Sequence, residues 1–197
     1  MDNRSQSGFT LYELLITVVV VGVILTFAVP NLQDFARNSR MTGTANDLLS
    51  IFHVARSESS RAKSNITICP SSDGKNCGTT WNDGYIMFVD ENGDLARSGP
   101  ADSVLRMQGS IASGVSLAVA GDATYFSYSS TGLGRPNVSG NTAVSQIVIC
   151  DERGNRVGPG GSSAARLFVV TPLGRATIIR DVDLIDDALT NMNKTCP

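Results

Sequence analysis

The chain has 197 residues, 42% of them hydrophobic and 17% charged, with a formal net charge of −2. That length and composition support one domain with a buried core without requiring two, and so small a charge excludes a partner announced by a strongly basic or acidic balance. The distribution is uneven: residues 69–134 hold seven acids against three bases, residues 135–180 hold six arginines against Asp151 and Glu152, and residues 181–197 hold four aspartates against one lysine. Solvated loops and strand edges account for such a pattern; so do surfaces that orient neighbouring subunits or meet an anionic partner.

The first element is Gly8–Pro30, G-FTLYELLITVVVVGVILTFAV-P. Phe9–Val29 is 21 residues in which only Thr10, Tyr12, Glu13, Thr17 and Thr26 carry polar side-chain atoms. At about 1.5 Å per residue, a helix of that length reaches about 30 Å, the thickness of a bilayer core. Glu13 is a carboxylate well inside the apolar run, costly in lipid and best explained by a partner. A secretory signal peptide needs a basic leading region, a shorter apolar core and a small-residue cleavage site after it. Here Asp2 balances Arg4, and the small residue, Gly8, precedes the apolar run.

Gly8, Phe9, Thr10, Leu11, Glu13 and Leu14, with the long apolar helix and Pro30 after them, resemble the N-terminal motif of the type IV pilin-like superfamily. The resemblance implies that residues 1–8 are a leader, cut between Gly8 and Phe9 by a prepilin peptidase on the cytoplasmic face. It implies N-methylation of Phe9, a transmembrane and assembly helix over residues 9–30, and pairing of Glu13 with the Phe9 amine of a neighbouring subunit. The pairing has a physical basis, because a buried carboxylate and a buried amine each cost several kcal/mol alone and less together. An uncleaved single-span anchor would leave Glu13 and the Gly8–Phe9 junction unexplained.

The helix is expected to pass Pro30 with a kink and to run to about Ala62. Leu32 and Phe35, then Ala45, Leu48, Leu49, Phe52 and Ala55, recur at helical spacing. The stretch Arg37–Thr44 is weaker and Gly43 is expected to loosen it; the exposed face carries Arg37, Arg40, Arg56, Arg61 and Lys63. Residues 31–64 therefore read as an amphipathic continuation that carries a head over residues 65–197. From Asn65 the period changes to two, with candidate strands Ile66–Cys69, Tyr85–Asp90, Val104–Met107, Val115–Val119, Thr124–Tyr128, Gln146–Cys150, Leu167–Thr171 and Ala176–Arg180. Turns fall at Asn92-Gly93, Gly132–Gly134, Arg153-Gly154 and Pro172–Gly174, and Gly154–Ser163 reads as a flexible loop. The fold class is α+β: one long N-terminal helix packed on a C-terminal antiparallel β-rich head.

Four cysteines, Cys69, Cys77, Cys150 and Cys196, lie outside the apolar segment. An even number in an exported domain points to disulfides. Three pairings are open; the favoured one closes the Ser-, Asp- and Gly-rich loop with Cys69–Cys77 and leaves Cys150–Cys196. A zinc site is the rival, but the cysteines lack the usual two-to-four-residue spacing.

ITICPSSDGKNC, W-N-D-G-Y-I-M-F-V-D-E-N-G, VIC-DERG and TPLGRA resemble the FimT/FimU and GspH group of minor pilins and pseudopilins. The residues that carry this likeness are Cys69, Cys77, Trp81, Gly84, Phe88, Asp90, Cys150, Gly174 and Arg175; Gly99–Ser145 is only loosely patterned. Some FimT-type members implicated in DNA uptake carry Gly-Arg-x-Arg near the C-terminus. Here Gly174, Arg175 and Ala176 are followed by Thr177, so the second arginine is absent. Arg180 is five residues after Arg175 and points to the opposite face of a regular strand. Arg166, across the hairpin, is the residue that could complete a patch against phosphate; structural arginines in a sheet are the plain account.

Other motifs are weaker. Asp90, Asn92 and Asp94 begin like a calcium loop, but the sixth and twelfth positions, Leu95 and Ala101, are not the required Gly and Glu. A hairpin turn explains them better. His53 is the only histidine and no G-x-S-x-G elbow accompanies it, so no catalytic residue, metal or cofactor is assigned.

The resemblance therefore implies a minor type IV pilin with a structural rather than enzymatic role. It would be inserted once in the bacterial inner membrane with its head in the periplasm, then assembled with other minor and major pilins near the pilus tip, priming assembly. The alternatives are a GspH-like pseudopilin of a type II secretion system and a pilus-borne receptor whose partner is DNA. A membrane-tethered enzyme is the weakest reading.

Overall fold

The computed structural model describes residues 9–98, 102–121, 123–158 and 160–196. Its first element, α1, is one unbroken helix over Leu11–Ala62 with Pro30 inside it. Proline removes one amide donor; next to it Asn31 Nδ2 donates to the Phe27 carbonyl at 2.8 Å. Arg37–Thr44, expected to be loose, is helical throughout. The reason is local burial: Met41 and Thr44 lie in the core, whereas Gly43 faces open space.

The chain divides into two compact units, residues 1–38 and 39–197. Within the second, α1 buries Met41, Ala45, Leu48, Phe52 and Ala55, positions that alternate by four and three residues and so share one face. Leu32 and Phe35 continue the periodicity, yet both are exposed. The stripe that builds the head begins at Met41.

Among the described residues ten strands follow: β1 (Asn65–Pro70), β2 (Tyr85–Asp90), β3 (Val104–Gln108), β4 (Val115–Val119), β5 (Ala123–Tyr128), β6 (Asn137–Val138), β7 (Asn141–Ala143), β8 (Gln146–Asp151), β9 (Arg166–Val170) and β10 (Ala176–Ile179). They form a six-stranded sheet in the order β3-β2-β1-β5-β7-β6 and a four-stranded sheet in the order β10-β9-β8-β4. Every pairing is antiparallel except β5 with β7. All eight sequence-expected strands are present; β6 and β7 are two and three residues long, too short for alternation to register. The fold is α+β, with a long helix and an antiparallel-rich head.

Phe52 joins the two sheets. Its ring centroid lies 5.2 Å from Phe126 on β5 and 4.6 Å from Phe168 on β9, tilted contacts of the kind aromatic pairs favour. The four-stranded sheet is covered on its other face too. Along β8, Ile147 and Ile149 enter the main core, while Val148 and Cys150 enter a second cluster with Ile185, Ala188 and Leu189, as the two-residue period of a strand requires.

Those last three residues belong to α2 (Val182–Asn191), a helix not among the elements expected from the sequence, where residues 181–197 stand out only for their four aspartates. The aspartates have structural work: Asp181 is the N-cap, its side chain accepting from the amides of Asp183 and Leu184, and Asp183 adds negative charge to the first turn. Ile185, Ala188 and Leu189 carried the helical spacing, three and four residues apart.

Candidate functional site

The first turn of α1 is closed by a reciprocal pair. Glu13 Oε2 accepts from the Thr10 amide at 2.9 Å and from Thr10 Oγ1 at 3.0 Å, and the Glu13 amide lies 3.2 Å from Thr10 Oγ1 as its donor. Thr-x-x-Glu with the threonine just before the helix is a capping box, in which two orphan amides at a helix start are satisfied by side chains. The apolar run alone gives Glu13 a partner only on another subunit; the local partner is Thr10, and the Thr-x-x-Glu spacing is the signal for it in the sequence. Only Oε2 is used in this pair.

The segment after it exposes its apolar side chains all round: Phe9 is 88% exposed, and Leu11, Val18, Ile24 and Phe27 are exposed as well. This helix is long and apolar enough to cross a membrane, and none of its most apolar window is buried. Thr17 Oγ1 donates to the Leu14 carbonyl and Thr26 Oγ1 to the Val23 carbonyl. Both hydroxyls are therefore satisfied within the helix, which an apolar surrounding requires. Gly8, the residue before the expected cleavage point, lies outside the described residues.

The three arginines considered for phosphate contact do not form one patch. In the β9–β10 hairpin Leu167 pairs with Ile179 and Val170 with Ala176, so Arg166 and Arg180 flank one end and Arg175 the other. At about 3.3 Å per residue over five residues, the two ends are roughly 17 Å apart. Arg166 is also 5% exposed, its Nη1 bonded to the Ala164 carbonyl at 2.7 Å. The expectation that Arg166 joins Arg175 is corrected on both counts.

Arg175 is exposed, presented by a turn whose geometry is fixed from behind. Gly174 has φ +74°, and a Cβ there would meet the Tyr128 ring at 2.5 Å and the Gly132 carbonyl at 3.0 Å. Only glycine fits both the left-handed backbone and the close approach. Tyr128 Oη donates to the Gly174 carbonyl at 3.1 Å, and the Arg175 amide donates to Thr171 Oγ1.

Cys69 is bonded to Cys77 and Cys150 to Cys196. The first bridge closes the loop after β1, where the Asp73 carboxylate accepts from the amides of Asn76 and Lys75, from Asn76 Nδ2 and from Ser71 Oγ. Those bonds hold Asp73 well below the usual carboxylate range, the Asn76 amide contributing most. The second bridge fastens the chain beyond α2 to β8.

Asp90 does not serve a calcium loop. Its carboxylate is wholly buried; Oδ2 accepts from Thr67 Oγ1 at 2.8 Å and the Leu95 amide at 3.3 Å, and lies 3.6 Å from Arg135 Nη1. Asn92 and Asp94 bond each other. Among the described residues no group of three His, Cys, Asp or Glu is placed to hold a metal, and His53 is exposed on α1.

Residues 44–174 match the family model described as type II transport protein GspH, and residues 3–29 match the prokaryotic N-terminal methylation motif. A fimbrial protein of Pseudomonas aeruginosa is 32% identical over 54 residues, which are 27% of this chain and 35% of that protein. Type II secretion system core protein G of Aeromonas hydrophila is 31% identical over 51 residues, 26% of this chain and 36% of that protein. The chain thus spans about a third of the length of these curated relatives. Among solved structures, the type IV minor pilin FimU of Pseudomonas aeruginosa is 15% identical, with a TM-score of 0.49 over 76% of this chain and 94% of that one.

Proposed function

The chain belongs to the GspH family of type II transport proteins, and from that premise we propose that it is a minor type IV pilin that helps initiate pilus assembly at or near the tip. In this reading the prepilin peptidase cuts between Gly8 and Phe9, Phe9 is N-methylated, and residues 9–30 hold the chain in the inner membrane with the head in the periplasm. The helix then moves into a bundle with other minor and major pilins. The observation that carries the reading is the apolar stretch from Phe9 to Val29 with a capped carboxylate at its start. A helix exposing leucine, valine and phenylalanine on every side needs lipid or other helices around it.

Glu13 can serve two partners. Oε2 is taken by Thr10, and Oε1 remains for the cationic Phe9 amine of a neighbour, a charge-assisted bond in a surrounding of low dielectric. The capping box also fixes the carboxylate's direction before a neighbour arrives, lowering the ordering cost of pairing.

A GspH-like pseudopilin of a type II secretion system uses the same helix and head, and the family match favours keeping it as the second reading. Deletion of the gene separates the two. Loss of surface pili with secretion of exoproteins intact is expected; normal pili with secretion lost would transfer the protein to the secretion pseudopilus. The DNA-receptor reading is left with Arg175 as an exposed cation on the hairpin, Thr177 beyond it and Arg166 withdrawn into the fold.

A further inference from the structure

Two guanidinium groups meet at one carbonyl. Arg180 Nε and Nη2 donate to the Ser163 oxygen at 3.3 and 3.0 Å. Arg166 Nη1 donates to Ala164 O at 2.7 Å, to Ala165 O at 3.3 Å and to Ser163 O at 3.4 Å. All of these acceptors are neutral. No ion pair joins Arg166 or Arg180 to a carboxylate among the described residues. The acid on the adjoining strand, Asp151, is engaged by Arg153, whose Nη2 lies 2.7 Å from Oδ2.

Arg166 is thus a cation 5% exposed, beside a second cation, with three carbonyls on a single nitrogen. Its Nε and Nη2 make no hydrogen bond to the described residues. Burial most of all, then the charges of Arg180 and Arg153, pull its pKa down, with Asp151 opposing. A buried guanidinium is costly unless an anion or a full set of acceptors offsets it. Here no acceptor among the described residues reaches Nε or Nη2, and the nearby carboxylate, Asp151, is already engaged by Arg153.

We propose that Arg166 and Arg180 form a binding site for one carboxylate, brought by an acidic side chain of a neighbouring pilin. The identity of the neighbour rests on the pilin reading above; the chemistry of the site does not. A carboxylate matches the planar donor fork of a guanidinium. The depth of Arg166 calls for a slim projecting group, which a side-chain carboxylate is and a duplex backbone is not. The flank is acidic as well: Asn155, whose Oδ1 accepts from Ser163 Oγ, donates to Asp186 Oδ1 at 2.6 Å. Asp181, Asp183 and Asp187 lie on the same terminal segment. A polyanion would be repelled there while a single carboxylate pairs with the two arginines.

The test uses the full chain in detergent micelles, labelled so that arginine Nε–H signals are observed. Sodium acetate is titrated in at constant ionic strength. The Arg166 and Arg180 signals are expected to move together along one saturable curve while Arg175 stays still. Arg180→Gln, at an exposed position, should weaken acetate binding by about tenfold or more, the loss expected for a charge-assisted hydrogen bond. Its near-UV circular dichroism should be unchanged, so the test stands even if an Arg166 variant does not fold. The proposal is overturned by an unsaturable drift, by equal movement of Arg175, or by an unchanged curve in Arg180→Gln. A short DNA duplex forms the second arm: saturation by the duplex but not by acetate would assign the site to phosphate and overturn it too. These readouts need no pilus, so they fail independently of the deletion phenotype.

Discussion

Thr10 and Glu13 hold each other across the first turn of α1, with the Glu13 carboxylate accepting from the Thr10 amide and hydroxyl while the Glu13 amide meets that hydroxyl. Cleavage after Gly8 would leave the Thr10 amide in place, so the pair can persist in the mature chain.

Thr10→Ala removes one side of this box and should destabilise the first turn by about 1 kcal/mol. In bicelles, amide exchange at Leu11–Leu14 should accelerate by about fivefold, with no change beyond Thr17. Thr10→Ser, which keeps the hydroxyl, should restore protection. Equal exchange in wild type and Thr10→Ala would mean that the turn is held by something else.

The junction of the two sheets at Phe52 makes a second prediction. Phe52→Ala should cost the head about 3–5 kcal/mol, because it opens a cavity bounded by Phe126 and Phe168. Phe35→Ala, on the same helix but 71% exposed, should leave the urea midpoint of the head unchanged. Similar losses in both variants would contradict the start of the core stripe at Met41.

The Cys150–Cys196 bridge spans 46 residues, and chain entropy assigns such a loop about 4 kcal/mol. Cys196→Ser, paired with Cys150→Ala to avoid a stray thiol, should lower the stability of the head by roughly that amount. It should first expose α2, seen as faster exchange at Ile185, Ala188 and Leu189. The shorter Cys69–Cys77 loop, spanning 8 residues, should contribute less, about 2.5 kcal/mol on the same account.

The Asp73 loop carries a pH prediction with a defined sign. The folded-state pKa is depressed below 3.8 by the amides of Asn76 and Lys75 and by Asn76 Nδ2. A depressed carboxylate contributes stability that is fully present above its unfolded pKa and is lost as pH falls through the folded one. The Lys75 and Asn76 amide resonances should therefore hold still from neutral pH down through the ordinary aspartate range and move only below it. In Asp73→Asn they should be displaced at neutral pH and show no such titration. Movement of the wild-type signals near pH 4 would contradict the loop geometry.

Much of this was legible from residues. The 21-residue apolar run and the change to a two-residue period at Asn65 set out the helix and the strands. The reading failed where long-range register decides. Arg166 and Arg175 lie in one hairpin, which suggests a shared patch; only the pairing of Leu167 with Ile179 shows that Arg166 sits beside Arg180 instead. It also failed where charge masked periodicity. Four aspartates over residues 181–187 hid the Ile185, Ala188 and Leu189 face that makes α2 a core helix. At Thr10 the reason is different: the cost of a carboxylate in lipid points to a partner on another subunit and hides the Thr-x-x-Glu spacing that supplies one three residues back.

The most direct test of the account is the mass of the mature N-terminal peptide from protein purified out of its own membranes. The account predicts a chain beginning at Phe9 and carrying one methyl group on its amine. Gly8→Arg, which places a bulky cation before the scissile bond, should leave the leader attached. A native chain that begins at Met1, or at any residue other than Phe9, would contradict the assignment to processed pilins.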